Sequence, residues 1–430
     1  MEMRIKRCNT ISGEVIPPGD KSISHRAIIF NSVAAGEAKV SNLSPGDDCL
    51  STIACMRALG VEIDPVTPSI LKVKGVGRQG FREAENVLDA GNSGTTMRLL
   101  TGLLAAQPFL SILTGDESLR SRPMDRFVIP LRLMGAEIWG RKGDSVAPLA
   151  IRGGQLKGIE YRLPVASAQL KSALLIAALF AQGSTTVEEP APSRDHTERF
   201  LQAMGAHLEK EGCRVILSPH HAALSSVDIN VPGDISAAAF WLVAGAVHPN
   251  ANVRVLNIGM NETRIGILEV LRAMGARLEV ENERSEGGEP VADICVQSSE
   301  LVATRIEGEI IPRLIDEIPV IAVAACLAKG TTVIRDAAEL RVKESDRISA
   351  TIEELSKLGA RIEELPDGMV IHGVEGLRGT RCSSHQDHRL AMTLAVAGLV
   401  AEGETIVENA EVVGVSYPSF WQDLETLSAQ

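Results

Sequence analysis

Six aliphatic stretches recur along the chain, opening at Lys21, Ser93, Ser167, Ser236, Ile315 and Gln386, each with polar or charged residues in or beside its first turn. Each stretch breaks at Gly, Pro or Asn and runs into a β-branched segment, which predicts a buried helix of about three turns followed by a strand. A second phrase follows five of them as MRALGVEI, LRLMGAEI, LQAMGAHL, LRAMGARL and LSKLGARI. It predicts an amphipathic helix ended by Gly60, Gly135, Gly205, Gly275 and Gly359. These glycines recur roughly every seventy residues, the mark of an internal repeat. Helix N-termini carry partial positive charge and unpaired N–H groups, so six of them aimed inward would build an anion site.

Six copies divide as three and three. A Pro-Gly-Asp turn precedes copy one at Pro17–Asp20 and copy four at Val231–Asp234, and such turns mark chain crossings. The expected organisation is an N-terminal domain of residues 20–232 and a C-terminal domain of 1–19 plus 233–430, with three repeats in each and the active site in the cleft between them. An open solenoid is disfavoured, because solenoid repeats are shorter and more uniform.

Composition narrows the class further. A chain of 430 residues exceeds what one core usually serves. With 45% hydrophobic but 3% aromatic residues, that core must be aliphatic. The longest apolar run, around Ile318–Ala328, is too short to cross a bilayer, so no membrane association is expected. The basic start MEMRIKRCNT leads into no apolar segment of a secretory signal. Seven cysteines without a CxxC pair read as reduced thiols, hence a cytoplasmic protein. A net charge of −12 argues against nucleic acid as a partner.

Three motifs carry chemistry. In GDKSISHRA, Lys21, Ser22 and Arg26 can add charged and hydroxyl donors to a helix N-terminus, although Asp20 as a plain N-cap and Arg26 as a solvated charge fit the same letters. In LRVKESDR, Lys343 and Arg347 are spaced to share one face of a helix, with Glu344 and Asp346 between them. That set suits a phosphate and carboxylate clamp with a proton donor beside it, or a surface ion-pair helix. The third motif is LDAGNSGTTMR, Leu88–Arg98.

Together with the closing SYPSFW, these motifs stand in the order of the 5-enolpyruvylshikimate-3-phosphate synthase family, which the chain closely resembles over its whole length. SAQLK (Ser167–Lys171) and RDHTE (Arg194–Glu198) resemble its class II branch. The resemblance implies an inverted α/β barrel in each of two domains, built from six βαβαββ repeats. It implies transfer of the enolpyruvyl group of phosphoenolpyruvate to the 5-hydroxyl of shikimate 3-phosphate, with no metal and no cofactor. By match to the family's motifs, Ser22, Arg26, Ser167, Gln169, Arg194, Asp316 and Lys343 would hold shikimate 3-phosphate. Lys21, Gly94, Thr95, Arg122, Gln169, Glu344, Arg347 and Arg389 would hold phosphoenolpyruvate. Glu344 is the expected acid toward the methylene carbon and Asp316 the expected base on the hydroxyl, with Lys21 as an alternative proton carrier. A monomer is expected, and glyphosate is an expected competitor for the phosphoenolpyruvate site.

The chain departs from the better-known branch at Leu99, Ala168, Glu339 and Val415. Two relatives in fold are set aside. UDP-N-acetylglucosamine enolpyruvyl transferase carries a reactive cysteine where Thr114–Met124 has none, and RNA 3′-phosphate cyclase would want a basic surface. The pairs His220/His221 and His385/His388 come with no zinc-like ligand spacing, so no metal site is expected. His25 and His196 are expected to orient neighbouring donors.

Overall fold

A computed structural model describes residues 1–67, 70–219, 223–286 and 288–428. The chain divides into two compact units. The N-terminal unit is Gly19–Val231 with Glu286–Gly288, and the C-terminal unit is Met1–Pro18, Pro232–Ser285 and Glu289–Gln430.

Each unit holds three separate sheets, and none closes on itself into a barrel among the described residues. Five sheets have four strands and repeat one pattern. A short first strand runs parallel to the second, and two antiparallel strands follow on its other side, as in Leu88–Asp89 beside Leu110–Thr114, then Val146–Arg152 and Glu137–Gly140. The N-terminal residues complete two sheets of the C-terminal unit. Ile11–Val15 pairs parallel with Ala251–Val255, and Glu2–Lys6 pairs antiparallel with Glu404–Glu408 in the three-stranded sheet.

The six aliphatic stretches form the central helices α1 (Lys21–Val33), α2 (Gly94–Leu104), α3 (Ala168–Ala178), α4 (Ile235–Val247), α5 (Ile318–Leu327) and α6 (His388–Val400). They are buried almost throughout, as helices apolar on every face must be. Their polar openings are caps. The side chains of Asp20, Ser93, Ser167, Asp234 and Asp387 accept from backbone N–H groups of the first turns of α1, α2, α3, α4 and α6. Helix α5 instead follows a 3₁₀ turn, Ile315–Glu317, with Pro319 in its first turn, where proline has no hydrogen bond to lose.

Gly60, Gly135, Gly205, Gly275 and Gly359 all adopt positive φ, from 87° to 116°, as the left-handed ends of the amphipathic helices. One aliphatic core fills each unit. An aromatic cluster forms in the C-terminal unit, where Trp241 stacks on Phe420 at 5.0 Å and donates to the Tyr417 hydroxyl at 3.0 Å.

Candidate active site

In the N-terminal unit, α1 begins at Lys21, whose ammonium lies 2.8 Å from Asp48. Arg26, one turn on, is 2% exposed and therefore no surface charge. Its Nε donates to Thr197 at 2.7 Å, Nη2 to Ser172 at 2.6 Å and Nη1 to the Ser22 carbonyl at 2.9 Å. Such a fork of donors is fixed in orientation before any ligand arrives. His25 is fully buried, with Nδ1 2.7 Å from the Thr52 hydroxyl. Burial drives its pKa down to about 3, so the ring is neutral at pH 7.

The starts of α2 and α3 converge. Gln169 donates to Thr95 Oγ1 at 2.9 Å and accepts from Arg98. Arg122, buried, donates to Asn92 at 2.9 Å. A Cβ placed on Gly94 would lie 3.3 Å from Arg122 Nη1 and 3.6 Å from Arg98 Nη1. Gly94, Thr95, Arg122 and Gln169 thus line one place, and Arg98 joins them. Ser167 spends its hydroxyl capping Leu170 N–H at 3.3 Å. Arg194 is half-buried in the segment leading into the helix His196–Ala203.

The C-terminal unit builds its cluster around one guanidinium. Arg347, 2% exposed, meets Asp387 through Nε at 2.7 Å, Glu344 through Nη2 at 2.6 Å and Asp316 through Nη1 at 3.3 Å. Burial works against its charge, but Asp387, Glu344 and Asp316 outweigh that and hold its pKa above the ordinary arginine value. Asp387, also fully buried, is in turn held ionised below the usual carboxylate range, burial being outweighed by Arg347. Lys343 Nζ lies 3.4 Å from Asp316, and Arg389 Nη1 donates to the Asp316 carbonyl at 3.3 Å. Three carboxylates, Asp316, Glu344 and Asp387, therefore share one fixed cation, and two further basic groups, Lys343 and Arg389, lie beside Asp316.

One expectation fails here. Lys343 and Arg347 do not share a helix face, because the helix begins only at Arg347. Asp346 caps it, accepting from Ile348 and Ser349, and ends any helix coming from Lys343. A bend brings the two cations to Asp316 instead.

His385 also differs from its expectation. It sits with Glu353 and Glu354, whose ligand atoms fall within 4.8 Å of one another, a set that could hold a metal ion among the described residues. The Lys357 ammonium, at 3.0 and 2.8 Å, already pairs with both carboxylates. His220 and His221 lie outside the described residues.

Asp48, Arg98, Thr197 and Asp387 are missing from the sequence reading. Arg98 had a signal in its helical spacing from Gly94 and Thr95. Thr197 lies within RDHTE and Asp387 opens the sixth stretch, but their pairing with Arg26 and Arg347, like that of Asp48 with Lys21, joins distant segments, which no local pattern announces.

The profile of EPSP synthase (3-phosphoshikimate 1-carboxyvinyltransferase) matches residues 5–424. The chain belongs to the EPSP synthase family. The 3-phosphoshikimate 1-carboxyvinyltransferase of Desulforudis audaxviator is 54% identical, covering 99% of both chains. That of Gloeobacter violaceus is 55% identical over 98% of this chain and 97% of its own. The solved EPSP synthase of Acinetobacter baumannii superposes with a TM-score of 0.89 at 42% identity, covering 99% of this chain and 98% of that one. The enolpyruvyl transferase NikO of Streptomyces tendae, at 19% identity and TM-score 0.80 over 99% and 96%, shares the fold. No helix among the described residues is long and apolar enough to cross a membrane.

Where the chain departs from the better-known EPSP synthase branch, the structure separates core from surroundings. Leu99 is fully buried in α2, a helix where proline would cost a hydrogen bond. Val415 ends the 3₁₀ turn Ala410–Val415 and carries no charge to offer a phosphate.

Proposed function

We propose that the chain transfers the enolpyruvyl group of phosphoenolpyruvate to the 5-hydroxyl of shikimate 3-phosphate, releasing phosphate, in the path to the aromatic amino acids. Membership of the EPSP synthase family supports the reaction. The observation that carries the mechanism is the arrangement of Asp316 and Glu344 on the single guanidinium of Arg347.

The hydroxyl oxygen bonds to C2 of phosphoenolpyruvate while Asp316 takes the hydroxyl proton. Glu344 delivers a proton to the methylene carbon, giving a tetrahedral intermediate. In the second half, phosphate leaves with the C2–O electron pair. Glu344 removes a proton from the new methyl group, and the departing phosphate takes a proton from Asp316 or from Lys21. Two carboxylates fixed on one cation can exchange these roles without moving.

Both substrates are anions. Ser22, Arg26, Ser167, Gln169, Arg194 and Lys343 hold the acceptor in this reading, while Lys21, Gly94, Thr95, Arg122, Arg347 and Arg389 hold phosphoenolpyruvate, with Gln169 serving both. The enzyme acts as a cytoplasmic monomer and takes glyphosate as a competitor of phosphoenolpyruvate. A net charge of −12 disfavours nucleic acid as a partner.

Turnover in deuterium oxide tests the mechanism. Deuterium should enter the vinyl group of the product, because the methyl of the intermediate mixes solvent and substrate hydrogens. A product free of deuterium would rule out the addition and elimination route.

A further inference from the structure

The N-terminal unit contains a buried ion triad that the reaction does not use. Lys171, on α3, is 2% exposed, and its ammonium lies 2.6 Å from Glu189 and 2.6 Å from Glu198, each with 3% of its side chain exposed. Ser193 donates its hydroxyl to Glu189. Packed apolar side chains often serve stability as well as buried ions do. Three buried charges with a surplus anion therefore call for another role.

The connectivity supplies one. Glu189 and Glu198 bracket the segment that carries Arg194, and one ammonium ties both ends of it to α3. The same helix begins with Ser167 and Gln169. The neighbouring Ser172 extends the tie, with its hydroxyl 2.7 Å from Thr197 and accepting from Arg26 at 2.6 Å. Three elements that carry proposed acceptor-binding residues are thereby locked in one register.

We infer that Lys171 is a positioning residue for the acceptor: through Glu189 and Glu198 it sets the Arg194 segment against α3, so that it governs affinity for shikimate 3-phosphate and leaves phosphoenolpyruvate alone. The inference rests on the assignment of Arg194 to the acceptor.

The test compares Lys171→Met/Glu189→Gln/Glu198→Gln, which removes all three charges together, with Ser193→Ala, which cuts one tie and leaves the triad whole. In the triple variant KM for shikimate 3-phosphate should rise about tenfold, while kcat and KM for phosphoenolpyruvate stay within about twofold, as expected for misplaced binding groups. Ser193→Ala should raise the same KM about threefold, which keeps the inference testable should the triple variant not fold. In an Arg194→Ala background the triple substitution should change KM by less than about twofold, since the coupled effect is already lost. Unchanged KM for shikimate 3-phosphate in folded Ser193→Ala and triple variants would reduce the triad to a structural staple. Unchanged KM in Arg194→Ala alone would instead remove Arg194 from the acceptor site, which is the failure of the underlying reading.

Discussion

Arg347 is held by Asp387 at 2.7 Å, both side chains being closed off from solvent. The same carboxylate caps α6 by accepting from Arg389 N–H at 2.9 Å, so it orients two arginines assigned to phosphoenolpyruvate. Asp387→Ala should cost about 1–3 kcal/mol in urea unfolding, from the lost cap and the lost charged hydrogen bond, since Glu344 and Asp316 still pair with Arg347. It should also raise KM for phosphoenolpyruvate more than KM for shikimate 3-phosphate. Equal rises in both constants would mean that Asp387 serves the fold alone.

Asp316 stands between Lys343 and Arg347, at 3.4 and 3.3 Å. Asp316→Asn keeps the shape and removes the base. Turnover should fall by roughly two to four orders of magnitude, with shikimate 3-phosphate still bound in a calorimetric titration. Near-normal turnover would take Asp316 out of the mechanism.

His25 gives the fold a pH dependence. Its pKa falls from 6.5 to about 3 on burial, so between these values the unfolded chain binds a proton that the folded one refuses. The stabilising contribution is therefore complete above pH 6.5 and declines as pH falls, by about 1.4 kcal/mol per unit, until the folded pKa is reached. His25→Gln should lack this slope. Urea titrations from pH 6 to pH 4 should show the parent converging on the variant, and parallel profiles would contradict the assignment.

A Cβ on Gly94 would crowd Arg122, standing 3.3 Å from its Nη1, and would touch Arg98 Nη1 at 3.6 Å. If glyphosate competes at this place as proposed, the added methyl should crowd that longer ligand more than phosphoenolpyruvate. Gly94→Ala should raise the inhibition constant by roughly tenfold or more while KM changes far less, a difference built by steric exclusion. Equal changes in the two constants would show that Gly94 does not discriminate.

The central helices and their glycine-ended partners are legible in the sequence because both depend on local pattern. A run apolar on every face has to be buried, and only glycine takes φ near 90° without strain at Gly60 or Gly275. The motifs also contain most of the polar residues that cluster within each unit. Arg26 stays ambiguous until burial and its bonds to Thr197 and Ser172 exclude a solvated surface charge. The helix expected through Lys343 fails because a single capping aspartate, Asp346, outweighs an i, i+4 charge pattern that contributes only about 0.5 kcal/mol. The pairings of Asp48, of Asp387 and of the Glu189–Lys171–Glu198 triad are invisible in the sequence, since each joins groups from separate segments that only the fold brings together.

The central claim is the identity of the acceptor, and phosphate release measures it most directly. With phosphoenolpyruvate present, adding shikimate 3-phosphate should produce phosphate stoichiometric with the acceptor consumed, while UDP-N-acetylglucosamine should produce none above background. Release driven by the sugar nucleotide, or none with shikimate 3-phosphate, would contradict the account.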